Sequence, residues 1–221
     1  LLAHFDVDGL RARAALARIP DGLSFVEAAP MGCAGVTTFN ALRRTRAVAG
    51  DVVAVLGIGG LGHLGVQWAA AMGFDTVAIA RGPAKADDAR ALGARHYIDS
   101  TAVDVAGELQ KLGGAVVVLA TAGNSAAMGQ TVGGLAPEGE LVVVGVTPEP
   151  LPISPLDLIT AGLSVTGHPS GTSRDVEETM DFALQTGVRA HVQELPLAQA
   201  AQAYAAMEEG QARYRMVLTV Q

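Results

Sequence analysis

Val52-Val53-Ala54-Val55-Leu56-Gly57-Ile58-Gly59-Gly60-Leu61-Gly62, running on into the helical stretch His63 to Met72, decides how this chain folds. Five consecutive apolar residues, three of them β-branched, read as a buried strand. The glycines that follow have G-x-G-x-x-G spacing. Glycine supplies 27 of the 221 residues, so the spacing alone carries little. The order of strand, glycine turn and helix carries the argument. In such a turn Gly57 permits the tight reversal, Gly59 lets a pyrophosphate approach the backbone, and Gly62 lets the helix pack close to the strand. Gly60 and Leu61 complete the turn, whose free N–H groups and helix dipole favour an anion. The expectation is a dinucleotide site. The alternative is a strand–helix turn with no ligand.

The same alternation continues outward from this unit. Strands are expected at 52–57, 76–80, 95–98, 115–120, 140–146 and 163–167, and helices at 61–72, 84–92, 102–111, 124–134 and 155–161. Strands and helices alternating at these intervals predict an α/β fold with a doubly wound, parallel, six-stranded sheet. Upstream, Pro20-Asp21-Gly22 is a turn, and Ser24 with Glu27 has capping-box spacing for a helix from Phe25 to Ala29. Ala34 to Val48 reads as a further helix, with Arg43, Arg44 and Arg46 near its C-terminal end. Downstream the alternation stops. Thr172 is placed to cap a helix from Arg174 to Thr186. A short strand from Val192 to Leu195, a helix from Leu197 to Glu209 and a strand from Tyr214 to Val220 close the chain. The expected organisation is an N-terminal remnant and lead-in helix (1–32), a dinucleotide-binding domain (33–170) and a C-terminal segment returning towards a second domain (171–221).

Composition narrows the function classes. Half of the residues are hydrophobic while aromatics are only 4%, which suits strands buried on both faces under small-residue helices. The net charge of −7, without a basic block, argues against nucleic acid. No apolar run reaches the roughly 18 residues of a membrane span. A single cysteine excludes an internal disulfide framework and fits a reducing, cytoplasmic setting. The first residue is Leu, and Leu1 to Phe5 is too short for a signal-peptide core before Asp6 and Asp8. The chain is therefore expected to be a fragment, a trimmed form or a degenerate copy of a longer protein.

Ala28-Ala29-Pro30-Met31-Gly32-Cys33-Ala34-Gly35-Val36-Thr37-Thr38, then Gly50-Asp51 and the glycine turn, closely resemble the zinc-dependent medium-chain alcohol dehydrogenases. Leu92-Gly93-Ala94, Gly139 to Val146 and Arg213-Tyr214-Arg215-Met216-Val217-Leu218 extend the likeness over about residues 15 to 221. It is closest to the propanol-preferring and cinnamyl-alcohol-type branch. The resemblance implies a Rossmann cofactor domain, hydride transfer between nicotinamide and a primary alcohol or aldehyde, and a homodimer or higher homo-oligomer. It also implies an N-terminal catalytic domain carrying most zinc ligands, whose Gly-His-Glu motif and four-cysteine lobe have no counterpart in this sequence.

By the same resemblance Cys33 is a catalytic zinc ligand, and Thr37, one helical turn on, lies near nicotinamide and metal. One thiolate without partners does not hold zinc tightly, so the chain alone is expected to bind little. For Cys33 the alternative is a buried helix-start cysteine acting as a small hydrophobe; for Thr37 it is an ordinary helix residue. His4, His63, His96, His168 and His191 lack metal spacing and read mostly as surface or packing residues. Thr121 and Val146 follow the fourth and fifth strands, where ligands of open sheets bind, and the resemblance implies nicotinamide contacts there.

Cofactor choice turns on the end of the second strand. An NAD site places a carboxylate there, about 20 residues after the glycines. This strand ends in Ala80 with Arg81 next, and Asp75 sits at its other end. Arg81 can grip a 2′-phosphate bidentately with Lys85 as a second charge, so NADP is expected, with NAD the alternative. Solvated side chains on a loop are the other reading of this pair. Arg215 aligns with a family arginine that reaches the pyrophosphate; otherwise Arg213 and Arg215 are strand residues facing water. The loop His168-Pro169-Ser170-Gly171-Thr172 either lines the cofactor cleft or is a plain turn. Two other functions stay open: a nucleotide-binding domain without turnover, and a zinc-independent quinone or enoyl reductase, against which Cys33 weighs.

Overall fold

The computed structural model describes residues 15–220, so the expectations for Leu1 to Phe5 and His4 lie outside the described residues. Six parallel strands, β1 (Val52–Leu56), β2 (Asp75–Ala80), β3 (His96–Asp99), β4 (Ala115–Ala120), β5 (Leu135–Val143) and β6 (Ser164–Gly167), form one sheet in the order β3-β2-β1-β4-β5-β6. That order is the Rossmann arrangement, with its crevice beyond the carboxyl ends of β1 and β4, where the strand order reverses.

The reason lies in strand parity. Alternate strand residues point to opposite faces, and here both parities are apolar. Val53, Val55, Ala78, Val117, Leu119 and Val142 pack beneath α2 (Ala34–Arg43), α3 (Gly62–Ala71) and α8 (Ser173–Thr186). Ala54, Leu56, Val77, Ile79, Val118 and Leu141 meet α5 (Val105–Lys111) and α6 (Ser125–Val132) on the other face. Each fully buried aliphatic side chain contributes about 1.5–3 kcal/mol. Phe39, Trp68 and Phe182 join α2, α3 and α8, with ring centroids 5.1–5.9 Å apart.

The two ends of the described chain pack on that first face. The α1 helix (Phe25–Ala28) starts at the Ser24–Glu27 capping box. Thr172 and Asp175 form a second box at α8. Arg43 pairs with Asp175 and Glu178, fastening α2 to α8, and Glu27 pairs with Arg189 at 2.9 Å. Beyond α8, β7 (Val192–Pro196), α9 (Ala200–Glu208) and β8 (Arg215–Thr219) form a small parallel β-α-β unit. The helix α4 (Ala86–Ala91) follows β2, and α7 (Pro155–Ala161) precedes β6.

Four expected boundaries move by three residues or more. Helix α2 stops at Arg43 rather than Val48, because the backbone N–H and hydroxyl of Thr45 both turn back to Leu42 O. The β5 strand starts at Leu135, with Ala136–Gly139 looping out before pairing resumes at Glu140. It ends at Val143, because Gly145 crosses so close over Ala122 O that a Cβ there would overlap it. The helix expected from residue 102 starts at Val105, capped by Asp104.

Candidate dinucleotide site

At the carboxyl end of β1 the glycine turn is packed to the limit that hydrogen side chains allow. Gly57 has φ +93°, and a Cβ on it would lie 3.1 Å from the Ala122 nitrogen. A Cβ on Gly62 would overlap the carbonyl oxygen of Gly57. The Thr121 hydroxyl lies 2.9 Å from Leu56 O and 3.0 Å from Gly57 O, so it joins β4 to the turn. Gly59, by contrast, faces open space. The N–H groups of Gly59, Gly60 and Leu61 have no acceptor among the described residues. These unpaired donors sit at the start of α3, where the helix dipole adds positive potential.

Arg215 closes this turn from the far end of the sequence. Its Nη1 lies 2.8 Å from the place a Cβ on Gly60 would take. The backbone that carries it is held through His191, whose carbonyl accepts from Tyr214 N and Arg215 N at 3.0 and 3.1 Å. His191 N–H in turn donates to His63 Nε2 at 3.2 Å, and His63 Nδ1 lies 2.9 Å from Gly59 O. A carbonyl only accepts and an amide N–H only donates. His63 is therefore neutral, with its proton on Nδ1. Burial is the main cause that lowers its pKa to about 4, and the charges of His191 and Arg215 add to it. The ring stacks on Tyr214, centroids 4.9 Å apart.

The second group of cations lies beyond β2. Arg81 is exposed and has no hydrogen-bond or ion-pair partner among the described residues. Lys85 is committed instead, donating to Ile58 O within the glycine turn at 2.6 Å. Burial lowers its pKa, reinforced by the charges of Arg213 and Arg81 and opposed by Asp88. Asp88 binds Arg213 and accepts from the Tyr214 hydroxyl at 2.9 Å. Thus Arg213 and Arg215 serve different partners. Asp99 accepts from Gly82 N at 2.8 Å and from Thr101, whose hydrogen bonds hold its carboxyl below the usual range. It fixes the loop that displays Arg81. Asp75 stands at the opposite end of β2, 3.2 Å from His96 Nε2.

On the other side of the crevice, Cys33 is exposed at the start of α2, which removes the buried-hydrophobe alternative. Thr37 follows one turn later and donates through its hydroxyl to Ser170 Oγ at 3.1 Å. Asn40 donates to Ser170 O, and Gly171 leaves no room for a Cβ against Asn40 and Val36, so the loop expected to be a turn or cleft wall is seated on α2. Val146 lies past β5 and is 91% exposed. Among the described residues no three His, Cys, Asp or Glu groups converge as a metal site. A lone thiolate does not match the three protein ligands of a catalytic zinc.

Sequence reasoning missed His63, His191, Asp88 and Asp99 as parts of this region. His63 stands directly after the glycine turn, but its partner is 128 positions away and leaves no local signal.

Comparison with known proteins agrees with this geometry. Residues 60–185 match the family described as Zinc-binding dehydrogenase. The chain is 43% identical over 202 residues to alcohol dehydrogenase notN of an Aspergillus species, covering 91% of this chain and 59% of that protein. It is 40% identical over 225 residues to an alcohol dehydrogenase of Geobacillus stearothermophilus, covering 99% of this chain and 67% of that one. The structure of a cinnamyl alcohol dehydrogenase of Sorghum bicolor superposes with a TM-score of 0.82 at 30% identity, over 91% of this chain and 57% of that one. The chain thus spans about six-tenths of the length of the relatives it matches.

Proposed function

The chain belongs to the zinc-binding dehydrogenases, the medium-chain alcohol dehydrogenase family, and from that premise we propose that it forms the cofactor-holding part of an NADP-preferring alcohol dehydrogenase or aldehyde reductase. The observation that carries this reading is the set of unpaired amides at Gly59, Gly60 and Leu61 with the Arg215 guanidinium against Gly60. Backbone donors, a helix N-terminus and a planar cation together make a site for a pyrophosphate. Bound there, a nicotinamide dinucleotide supplies the hydride chemistry, exchanging hydride with a primary alcohol or aldehyde.

The residues of the chain divide the remaining work. Gly59, Gly60 and Leu61 hold the phosphates, and Gly57 and Gly62 shape the cofactor-binding turn. Thr121 sets the turn against β4, and Val146 offers an apolar contact beyond β5. Arg81, unpartnered and next to a strand end without a carboxylate, grips a 2′-phosphate, with Lys85 as a second charge behind it. Cys33 and Thr37 face the reacting end. Cys33 is the one proposed zinc ligand in the chain, but the described donor set does not complete a site, so no step is assigned to the metal. Residues 33–170 act as the cofactor domain, and 1–32 and 171–221 as portions of a second one. The β6 edge, all four of whose residues are exposed, pairs with a second copy in a homodimer or higher homo-oligomer. The single cysteine supports a reducing, cytoplasmic setting.

Fluorescence titration of the chain with NADPH and NADH, repeated with Arg81→Ala, tests the reading. NADPH binds more tightly than NADH, and the substitution weakens NADPH by roughly tenfold or more while sparing NADH, as loss of a charged hydrogen bond requires. Equal effects on both nucleotides, or binding of neither, refute it.

A further inference from the structure

We infer that His63 is a positioning residue for the cofactor's pyrophosphate, locking the glycine turn to the C-terminal β-α-β unit so that the Gly60 N–H and the Arg215 guanidinium face one ligand. The inference rests on the dinucleotide reading given above. Two structural arguments carry it.

The first concerns one peptide plane. The Gly59 carbonyl and the Gly60 N–H belong to the same trans peptide and point in opposite directions. The Gly59 carbonyl accepts twice from His63, from its backbone N–H at 3.1 Å and from Nδ1 at 2.9 Å, and the imidazole adds the second, shorter hold. Gly60 N–H, which has no acceptor among the described residues, must then point the other way, out of the helix. The second concerns Arg215. His63 Nε2 accepts from His191 N–H, and His191 O holds the Tyr214 and Arg215 amides. Only one residue therefore separates the imidazole from the backbone that carries the guanidinium across Gly60. The ring is fully buried and stacked on Tyr214. A hydrocarbon of similar size would fill the space, but it would leave the His191 N–H without a partner and the Gly59 carbonyl with only the backbone N–H of residue 63.

The test uses the 221-residue chain with His63→Phe, His63→Gln and Arg215→Ala, plus the His63→Phe/Arg215→Ala double variant. Probes are NADPH and adenosine 2′-monophosphate, which lacks the pyrophosphate. Phenylalanine keeps the stacking and removes both polar ties; glutamine keeps an acceptor for His191. His63→Phe weakens NADPH binding by roughly tenfold and leaves adenosine 2′-monophosphate unchanged, and His63→Gln recovers part of the loss. In the Arg215→Ala background the same change costs much less, because coupled residues are not additive. Equal NADPH affinity in His63→Phe, or an equal loss for both probes in both backgrounds, overturns the inference while leaving the dinucleotide site standing. If the unsubstituted chain binds no NADPH, the dinucleotide reading itself falls, and this inference with it. Nitrogen chemical shifts of His63 in the unsubstituted chain provide a check independent of variant folding. The Nδ1-protonated neutral ring supports the lock, and the Nε2-protonated form or an imidazolium at neutral pH contradicts it.

Discussion

The two sides of the crevice are finished to different degrees. At the glycine turn the carbonyls of Leu56, Gly57, Ile58 and Gly59 are all engaged by side chains, and only the amides that face outward lack partners. At the opposite rim, Cys33 and Val146 are exposed, and Thr37 is satisfied by a serine rather than by anything in the crevice. On the proposed reading, the contrast teaches that phosphate recognition lies within this chain, in backbone turns and in cations anchored to them. The reacting end, by contrast, has residues but no enclosure. That asymmetry gives predictions of graded size.

The largest effect belongs to Gly62→Val. Its Cβ would overlap the Gly57 carbonyl, so the helix must retreat from the strand. NADPH affinity falls by about a hundredfold or more and the melting temperature drops, as expected of overpacking by about 1–3 kcal/mol or more. Wild-type binding by this variant would break the comparison at its stronger side.

Acid is the next probe. The pKa of His63 is lowered in the folded chain from 6.5 to about 4. Below the unfolded value the unfolded chain takes up the proton first, so the contribution of neutral His63 is lost as pH falls from about 6.5 towards 4. The linkage amounts to about 3 kcal/mol. The groups facing the ring are His191, Arg215 and Tyr214, none of which supplies an anion to offset its protonation. Denaturant unfolding between pH 7 and pH 4 should show this loss in the unsubstituted chain and less of it in His63→Phe. Parallel pH profiles in both would contradict it.

At the sheet edge, Val165→Lys puts a charge on β6, where Val165 is 38% exposed. Monomer should replace dimer in sedimentation, with a stability change within about 0.5 kcal/mol in the monomer. The smallest effect is Cys33→Ser. An exposed thiol outside the phosphate site leaves NADPH affinity unchanged and alters stability by less than about 0.5 kcal/mol. A large loss of nucleotide binding would show that the two rims are not independent.

Much of the fold was legible in the sequence because both parities of the buried strands are apolar and several helices carry a capping residue at their start. Ser24, Asn124, Ser154 and Thr172 all accept from backbone amides at the positions their residue types favour. The ends were less legible. Thr45 stops α2 inside a stretch that is otherwise permissive for helix, and the Ala136–Gly139 loop interrupts a strand without changing its apolar character at either side. At the site, the glycine spacing and Arg215 were readable from the motifs, while the bonds that organise them were not. Lys85 reaches back 27 positions to Ile58 O, Asp88 reaches forward 126 to the Tyr214 hydroxyl, and His63 meets His191 across 128. The last two ties depend on how the C-terminal segment docks on the sheet domain, and none of the three fits in a local window.

The central claim is that this chain by itself holds a dinucleotide through its glycine turn and Arg215. Calorimetric titration with NADPH tests it most directly. One saturable site, weakened by roughly tenfold or more in Arg215→Ala, is the predicted result. A folded chain that takes up no NADPH, or binds it equally well without the Arg215 guanidinium, would contradict it.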